Sequence, residues 1–240
     1  MALPRVVLRY FNCRGRGQAL RYLLVDQGVE FVDERIDAEA WQRYAGAPEA
    51  AGPFCSLPVL QWEECSIAQT LAIAAYLSRR LGHVENYDSA ALARLESIAS
   101  AAYLDLTCVI RELLRPRVMP QDDQWPTFLA EFSTTVPARL PAFERLLYAR
   151  GAPFFGGVAP VAADYFVFEA VDAWLELLGA PVADALANCP RLREHQSELL
   201  ARPKLSAYLA SGCRPLPLTA SPHETAIRER LRAAFSPVSR

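Results

Sequence analysis

Apolar and polar positions follow two different periods along this chain, short-period alternation first and helical spacing afterwards. Residues 4–11 carry β-branched and aromatic side chains and predict a strand, and residues 18–27 then repeat leucines at helical spacing. Residues 29–36 predict a second strand, and Asp37 is a suitable N-cap for a short helix after it. The chain therefore begins with the order βαβα.

The next stretch predicts two short strands and one more helix. Residues 56–68 (SLPVLQWEECSIA) place a polar turn between two apolar runs, with Pro58 at the entry of the first, where a missing N–H is tolerable. Residues 69–82 predict an amphipathic helix. The full order is βαβαββα around one mixed sheet, in which the parallel first pair of strands is expected to have a right-handed crossover.

Strand patterns disappear after the polar segment 83–90, and only helical spacing remains. The predicted fold class is therefore an α/β domain followed by an all-helical domain. The expected boundaries are residues 1–83 for the first domain, 90–213 for the second and 214–240 for a tail with one possible short helix.

Composition and charge exclude several classes of function. The 240 residues hold 25 Lys plus Arg against 27 Asp plus Glu, so no strong positive field attracts nucleic acid. Lys204 is the only lysine, which excludes Schiff-base chemistry from the sequence before it. No apolar run reaches the ~18–20 residues that span a bilayer, and the N-terminal residues do not resemble a secretory signal. We expect no membrane partner and a cytoplasmic location.

The number and spacing of the cysteines and histidines bear on metal sites and disulfides. Six cysteines form no Cys-x-x-Cys pair and only three histidines occur, so the sequence supports neither a zinc site nor a disulfide framework.

Tyr10 is the first candidate for chemistry, since it ends the first strand beside the start of a helix. A phenol at that place can donate a hydrogen bond to a thiolate and lower the pKa of a bound thiol from about 8.5 towards neutrality. The alternative is a tyrosine that only packs at the sheet edge. Gly15 and Gly17 follow it and are expected to form the turn.

Separate motifs from both halves of the chain resemble those of cytosolic glutathione transferases, most closely the pi and sigma classes. They are YFNCRGRGQALRYLLVDQG, DAEAW, SLPVL, IAQTLAIAAYL, AADY and LARPKLSAYLAS, in family order across roughly residues 5–213. The resemblance implies a thioredoxin-like glutathione-binding domain followed by a helical domain. It also implies a glutathione S-transferase homodimer that uses glutathione as co-substrate in detoxification of small hydrophobic electrophiles.

The resemblance assigns roles to individual residues. Tyr10 matches the catalytic tyrosine that stabilises the glutathione thiolate, and Phe54 matches the aromatic key that inserts into the partner subunit. Phe11, Cys13 and Arg115 would border the electrophile pocket. The implied glutathione-binding residues are Tyr10, Arg16, Trp41, Ser56, Leu57, Gln69, Thr70 and Asp105, the last of which reaches towards the partner's site.

Some positions depart from the family pattern. The usual lysine before Pro58, which resembles the family's cis-proline, is absent, and Arg43 is its possible replacement. Ser56 replaces a common glutamine, and Arg115 stands where pi-like chains often carry tyrosine, which makes the pocket more polar.

Three alternatives stay open from the sequence. One is a sigma-type glutathione-dependent isomerase or peroxidase, which shares Tyr10 and differs in the pocket. Another makes Cys13 the reactive group through a mixed disulfide, because Arg14 and Arg16 beside it and a helix N-terminus can acidify a thiol. The last is a non-catalytic, crystallin-like or interaction protein on the same fold.

Overall fold

The computed structural model describes residues 6–113, 125–217 and 222–235. Its N-terminal part is a small sheet with helices around it, as the alternating pattern predicts. The elements are β1 (Val6–Phe11), α1 (Gln18–Asp26), β2 (Val32–Ile36), α2 (Ala38–Tyr44), α3 (Pro48–Ala51), β3 (Val59–Trp62), β4 (Cys65–Ala68) and α4 (Thr70–Arg80).

The sheet has four strands in the order β2-β1-β3-β4. Strand β1 pairs in parallel with β2, with Tyr10 opposite Arg35, and antiparallel with β3, with Leu8 opposite Leu60. The mixed sheet and the βαβαββα order are confirmed. The extra helix α3 was not predicted, because its four residues are too few to show a helical period.

Helices make up the rest of the described chain. They are α5 (Ser89–Ala101), a π-helical turn (Ala102–Thr107), α6 (Cys108–Leu113), α7 (Trp125–Thr135), a 3₁₀ turn (Pro137–Arg139), α8 (Leu140–Arg150), α9 (Ala162–Leu178), α10 (Ala180–Ala187), α11 (Pro190–Leu200), α12 (Pro203–Ala210) and α13 (Pro222–Phe235). The predicted tail helix is thus present as α13.

Helix α9 is the centre of the helical part, and its N-terminus is fixed by a buried carboxylate. Asp164 accepts hydrogen bonds from the backbone N–H groups of Phe155 and Val161, both at 2.8 Å, and contacts His195 Nε2 at 3.0 Å. Val161 is the N-cap residue, and its side chain has no acceptor for the helix N–H groups. Asp164 therefore provides the side-chain half of this cap.

Charged side chains join the two parts of the chain. The Arg14 guanidinium is fully buried and bonds the Glu169 carboxylate through Nε and Nη2, at 3.0 and 2.9 Å. It also bonds Asp172 at 2.6 Å and Glu176 at 3.0 Å. The loop before α1 is therefore tied to one face of α9 by a buried cation that contacts three carboxylates, of which Glu169 is buried and Asp172 and Glu176 are partly exposed.

The tail returns to both parts of the molecule. The Arg14 backbone N–H donates to the Leu216 carbonyl at 2.9 Å, and Arg214 bonds Asp172 at 2.5 Å. Ile227 and Leu231 of α13 are buried in the core that contains α9. Among the described residues, none of the helices has the length and apolar character that a membrane span requires.

Candidate active site

Tyr10 lies at the end of β1 with its hydroxyl turned towards the loop that leads into α1. Its side chain is only 6% exposed, and its Oη accepts a hydrogen bond from the Arg16 backbone N–H at 2.9 Å. Burial raises the pKa of the phenol far above its usual value, Cys13 adds to the rise, and the Arg16 N–H opposes it. Tyr10 therefore keeps its proton at physiological pH and can act as a hydrogen-bond donor, but not as a base.

The two glycines of the loop allow it to approach the Tyr10 ring. A Cβ at Gly17 would lie 2.6 Å from Tyr10 Cδ1, and a Cβ at Gly15 would lie 2.7 Å from Oη. Gly15 also has a positive φ of 35°. The glycines form the predicted turn, and they also leave the space in which the phenol sits.

Arg21 holds the same loop from the helix side. Its guanidinium donates to the carbonyls of Cys13 at 2.9 Å and Phe11 at 3.1 Å, and its Nε bonds Asp33 at 2.8 Å. The guanidinium carbon also lies 5.7 Å from the centre of the Tyr10 ring. One buried arginine of α1 thus fixes the backbone that leads from β1 into the turn.

The N-terminus of α4 lies against this loop. Thr70 is buried, and its Oγ1 donates to the Arg16 carbonyl at 3.3 Å. Gln69 precedes it, exposed, with a positive φ of 75°. Arg16 Nε is buried and has no hydrogen-bond partner. The helix N-terminus and the unpartnered N–H of a half-buried arginine together suit an anionic ligand.

Aromatic and apolar residues border the other side of Tyr10. The rings of Phe11 and Trp41 meet edge to face with centres 5.2 Å apart. Both pack on a small buried cluster that contains Tyr10, Cys13 and Leu57.

The residues that precede β3 complete this side. The peptide bond between Leu57 and Pro58 is cis, which confirms the prediction for Pro58. Ser56 is half-buried just before it and donates its backbone N–H to Ala51 at 2.9 Å.

The structure brings together most, but not all, of the predicted site residues. Asp105 lies on the π-helical turn, about half exposed, and faces Arg139 at 3.6 Å. Phe54 projects from the loop before β3 with 64% of its surface exposed. Arg115 lies outside the described residues.

A cavity of about 220 Å³ lies elsewhere, between α4, α5 and the start of α9. None of the predicted site residues lines it. Among the described residues, no cluster of histidine, cysteine and carboxylate side chains could hold a metal ion.

Comparison with known proteins agrees with this geometry. The family model "Glutathione S-transferase, N-terminal domain" matches residues 6–79, and "Glutathione S-transferase, C-terminal domain" matches residues 121–212. Human glutathione S-transferase P is 31% identical over 212 residues, which cover 87% of this chain and 93% of that protein. The chain belongs to the glutathione S-transferase family. It is accordingly a transferase with glutathione as co-substrate.

Of two further relatives, one is a crystallin and the other is a transferase. S-crystallin 3 of Enteroctopus dofleini is 27% identical over 221 residues, which cover 88% of this chain and 99% of that protein. The pi-class glutathione S-transferase of Onchocerca volvulus shares the fold with a TM-score of 0.72 at 24% identity, covering 86% and 93% of the two chains. The thioredoxin-like first domain and helical second domain are thereby confirmed.

Sequence reasoning missed two side chains that shape this transferase site. Arg21 stands between apolar residues of α1, and a charged residue inside an apolar helical stripe is a usable sign of a buried ion pair. Tyr103, in the π-helical turn, is only 8% exposed and lies close enough to Tyr10 to influence its pKa. Its position in a helix carried no local signal of a role in the site.

Replacing Gly17 by alanine should displace the Tyr10 ring, because the new Cβ would lie 2.6 Å from Cδ1. A shift of about 1 Å in a reacting group can cost up to about 100-fold, and we expect kcat/KM for conjugation to fall about 10- to 100-fold. Gly46→Ala is the matched control, since nothing lies within 4 Å of its added Cβ. Equal activity of the Gly17→Ala and Gly46→Ala enzymes would contradict this account of the loop.

Proposed function

We propose that Tyr10 donates a hydrogen bond to the sulfur of bound glutathione and so holds it as a thiolate. This proposal is based on the environment of the Tyr10 hydroxyl. Tyr10 Oη accepts from the Arg16 N–H, and within the described part of the chain no acceptor is bonded to its own proton. A hydrogen bond to the charged form of a group favours that form, so the donor lowers the pKa of the thiol.

The thiolate then attacks a small hydrophobic electrophile. With an aryl chloride, the sulfur lone pair forms the carbon–sulfur bond, chloride leaves with the bonding pair, and the thiol proton passes to solvent. The product is a thioether, and no covalent bond to the protein forms. The protein contributes the lowered thiol pKa and the positioning of two reactants.

The rest of the glutathione molecule has matching groups around Tyr10. We assign the γ-glutamyl carboxylate to the N-terminus of α4 at Gln69 and Thr70, and the cysteinyl backbone to Leu57 beside Ser56. Trp41 and Arg16 would bind the glycyl end and the backbone. The unpartnered Arg16 Nε supports the last assignment, since a buried guanidinium N–H needs an acceptor.

The electrophile and the second subunit complete the proposal. Phe11 and Cys13 would border the electrophile pocket, and Arg115 is proposed as a third wall. Phe54 supports a homodimer because its aromatic side chain, 64% exposed, is the kind of residue that can anchor in a partner's pocket. Asp105 would then serve the partner's site. We also propose residues 1–83, 90–213 and 214–240 as the two domains and tail of a cytoplasmic, detoxifying enzyme.

The function is tested by titrating glutathione bound to the enzyme. Ultraviolet absorbance of the thiolate against pH gives the pKa of the bound thiol, and the rate with 1-chloro-2,4-dinitrobenzene should follow the same curve. We expect a bound-thiol pKa well below that of free glutathione. A folded protein that binds glutathione without changing its thiol pKa would overturn the proposed role of Tyr10.

A non-catalytic role is the second candidate, and the S-crystallin relative favours it. It predicts a folded dimer that flows through glutathione-agarose and shows no conjugation. Retention on the column together with conjugation decides against it. Isomerase or peroxidase activity of the sigma type shares the thiolate and is tested by offering the corresponding substrates to the same enzyme.

A further inference from the structure

The segment that follows α12 returns to the loop beside Tyr10. We call residues 213–217 (CRPLP) the tail strap, and residues 12–17, between β1 and α1, the Tyr10 loop. Two residues of the strap precede a proline, which disfavours the helical conformation, and residues 213–217 are neither helix nor strand. Both prolines are buried, and their rings restrict the backbone. The tail strap is therefore a stiff, non-helical segment.

The tail strap is connected to Arg14 of the loop at two points. The Leu216 carbonyl accepts the Arg14 backbone N–H at 2.9 Å. A single oxygen of Asp172, Oδ2, accepts from Arg14 Nη2 at 2.6 Å and from Arg214 Nη1 at 2.5 Å. Both the backbone and the guanidinium of Arg14 are thus linked to the strap, the second through a carboxylate of α9.

A second arginine links the strap to the loop from the side of the sheet. Arg35 of β2 lies opposite Tyr10 in the parallel register. Its Nη2 donates to the Cys213 carbonyl at 2.5 Å, and its Nη1 donates to Asn12 Oδ1 at 3.3 Å. The first residue of the strap and the first residue of the Tyr10 loop therefore share one guanidinium.

The Arg14 peptide belongs to the turn that serves the Tyr10 hydroxyl. Its carbonyl accepts the backbone N–H groups of Gly17 at 3.1 Å and Gln18 at 3.0 Å, which closes the turn. Arg16 lies inside this turn, and its N–H donates to Tyr10 Oη at 2.9 Å. A phenol oxygen that accepts a hydrogen bond becomes a better donor, because chained hydrogen bonds polarise one another. The placement of the turn therefore affects how strongly Tyr10 can donate.

We propose that Arg214 is a positioning residue for Tyr10, acting from the tail. Its ion pair with Asp172 anchors the strap, and the anchored strap keeps the Leu216 carbonyl on the Arg14 N–H. The turn then presents its N–H to the Tyr10 hydroxyl. This role requires no contact between Arg214 and glutathione. The inference rests on the proposed role of Tyr10 and adds the tail to it.

Different groups face Arg214 and Tyr10. The Arg214 guanidinium faces Tyr22 of α1, whose hydroxyl accepts from Nη1 at 3.4 Å, together with Asp172 of α9 and Arg14 of the loop. The groups that face Tyr10 are Cys13, Arg16, Arg21 and Tyr103. Replacing Arg214 therefore leaves each group that faces Tyr10 in place.

Arg214→Gln should loosen the strap, and hydrogen exchange of the Arg14 amide is the direct readout. We expect exchange in the peptide that covers residues 12–17 to accelerate about 2- to 10-fold, the worth of one net hydrogen bond. Leu216→Ala is the matched control, since it shortens a side chain that is 43% exposed and keeps the carbonyl. Equal exchange rates in Arg214→Gln and Leu216→Ala would overturn the inference.

The same variant should raise the pKa of the glutathione thiol bound to the enzyme. We expect kcat/KM with 1-chloro-2,4-dinitrobenzene to fall about 2- to 10-fold below that pKa and to recover at alkaline pH, where the thiol ionises without help. Thiolate absorbance and the pH–rate profile measure both effects, and an unchanged thiol pKa would contradict the proposal. If Arg214→Gln does not fold, Arg214→Met keeps the apolar stem, removes the charge and carries the same expectations.

The double variant Tyr10→Phe/Arg214→Gln tests the route of the effect. Because Arg214 acts through Tyr10, the double variant should have the same thiol pKa as Tyr10→Phe alone. A direct effect of the lost charge on the thiol would instead add to the shift, and this result would overturn the inference. If Tyr10→Phe itself leaves the thiol pKa unchanged, the proposed function fails as well.

Arg202→Gln is the control for an arginine with a purely structural role. Arg202 also joins the helical part to the first domain, where it pairs with the buried carboxylate of Asp26 at the far end of α1. The side chains of Arg202 and Arg214 have similar exposed fractions, 32% and 27%, so the two replacements are comparable. Arg202→Gln should lower the melting temperature and leave both the exchange of residues 12–17 and the thiol pKa unchanged. An Arg214→Gln enzyme that behaves in the same way would show a structural role and contradict the inference.

Discussion

Replacing Tyr10 by phenylalanine should cost about 10- to 100-fold in kcat/KM at neutral pH and almost nothing at alkaline pH. A hydrogen bond to a charged group contributes about 1.5–3 kcal/mol, which corresponds to about 1–2 units in the pKa of the bound thiol. Below both pKa values the rates differ by the ratio of thiolate fractions. Above the raised pKa both enzymes hold ionised glutathione, and their rates converge. Rates with 1-chloro-2,4-dinitrobenzene between pH 6 and pH 10 measure this directly.

Cys13→Ser is the matched control for that experiment, because Cys13 is buried beside Tyr10 and is the alternative reactive group. The tyrosine mechanism predicts a normal pH profile for Cys13→Ser. Activity lost in Cys13→Ser but kept in Tyr10→Phe would instead support a mixed-disulfide mechanism.

Replacing Arg14 by leucine should have the largest effect on stability. The change leaves the Glu169 carboxylate, which is 2% exposed, without its cation. Breaking a buried pair from one side costs about 3–5 kcal/mol, or about 6–20 °C in melting temperature for a chain of this size. Thermal melting followed by circular dichroism measures the loss.

The stability loss of Arg14→Leu should depend on pH, in a direction that the pKa of Glu169 determines. Burial raises the pKa of Glu169 even though the Arg14 cation opposes the rise, and removing Arg14 raises it further. A carboxyl with a raised folded-state pKa stabilises the fold below its unfolded pKa of about 4.3, and that contribution is lost as pH rises through the folded value. The deficit of Arg14→Leu should therefore be smallest in acid and largest near neutral pH.

Two comparisons separate this effect from a general loss of charge. Arg79 pairs with Glu96 at 3.8 Å on the surface, with both side chains more than half exposed, so Arg79→Leu should cost no more than about 1 kcal/mol. Arg14→Leu/Glu169→Leu should recover part of the stability, since no buried charge remains unpaired. Equal melting temperatures for Arg14→Leu and Arg79→Leu would contradict the buried-cluster interpretation.

Local sequence patterns were sufficient for most of the fold because each element carries its own period. Strand β1 alternates buried and half-buried residues, and Asp37 caps α2 by accepting the Ala40 N–H at 2.7 Å, as its residue type suggested. Helix α3 and the π-helical turn were not predicted. Neither has a pattern of its own, since both depend on the packing of neighbouring elements.

The candidate site likewise has one part that the local sequence predicts and another that depends on how distant residues pack. Tyr10 and the Gly15–Gly17 loop adjoin in sequence, so their proximity could be predicted, whereas the roles of Arg16, Trp41 and Asp105 come from the resemblance and stay predictions. Arg14 and Glu169 are 155 residues apart and belong to different domains. Pairings over such distances depend on how the two domains dock, which no local pattern specifies.

The cluster around Arg14 has a practical consequence for chimaeras between family members. Grafting this first domain onto another transferase's helices would bring a buried cation to a surface selected for different counter-charges. A successful graft would therefore carry the carboxylates of Glu169, Asp172 and Glu176 along with the first domain. The natural unit of exchange in this protein includes a strip of its second domain.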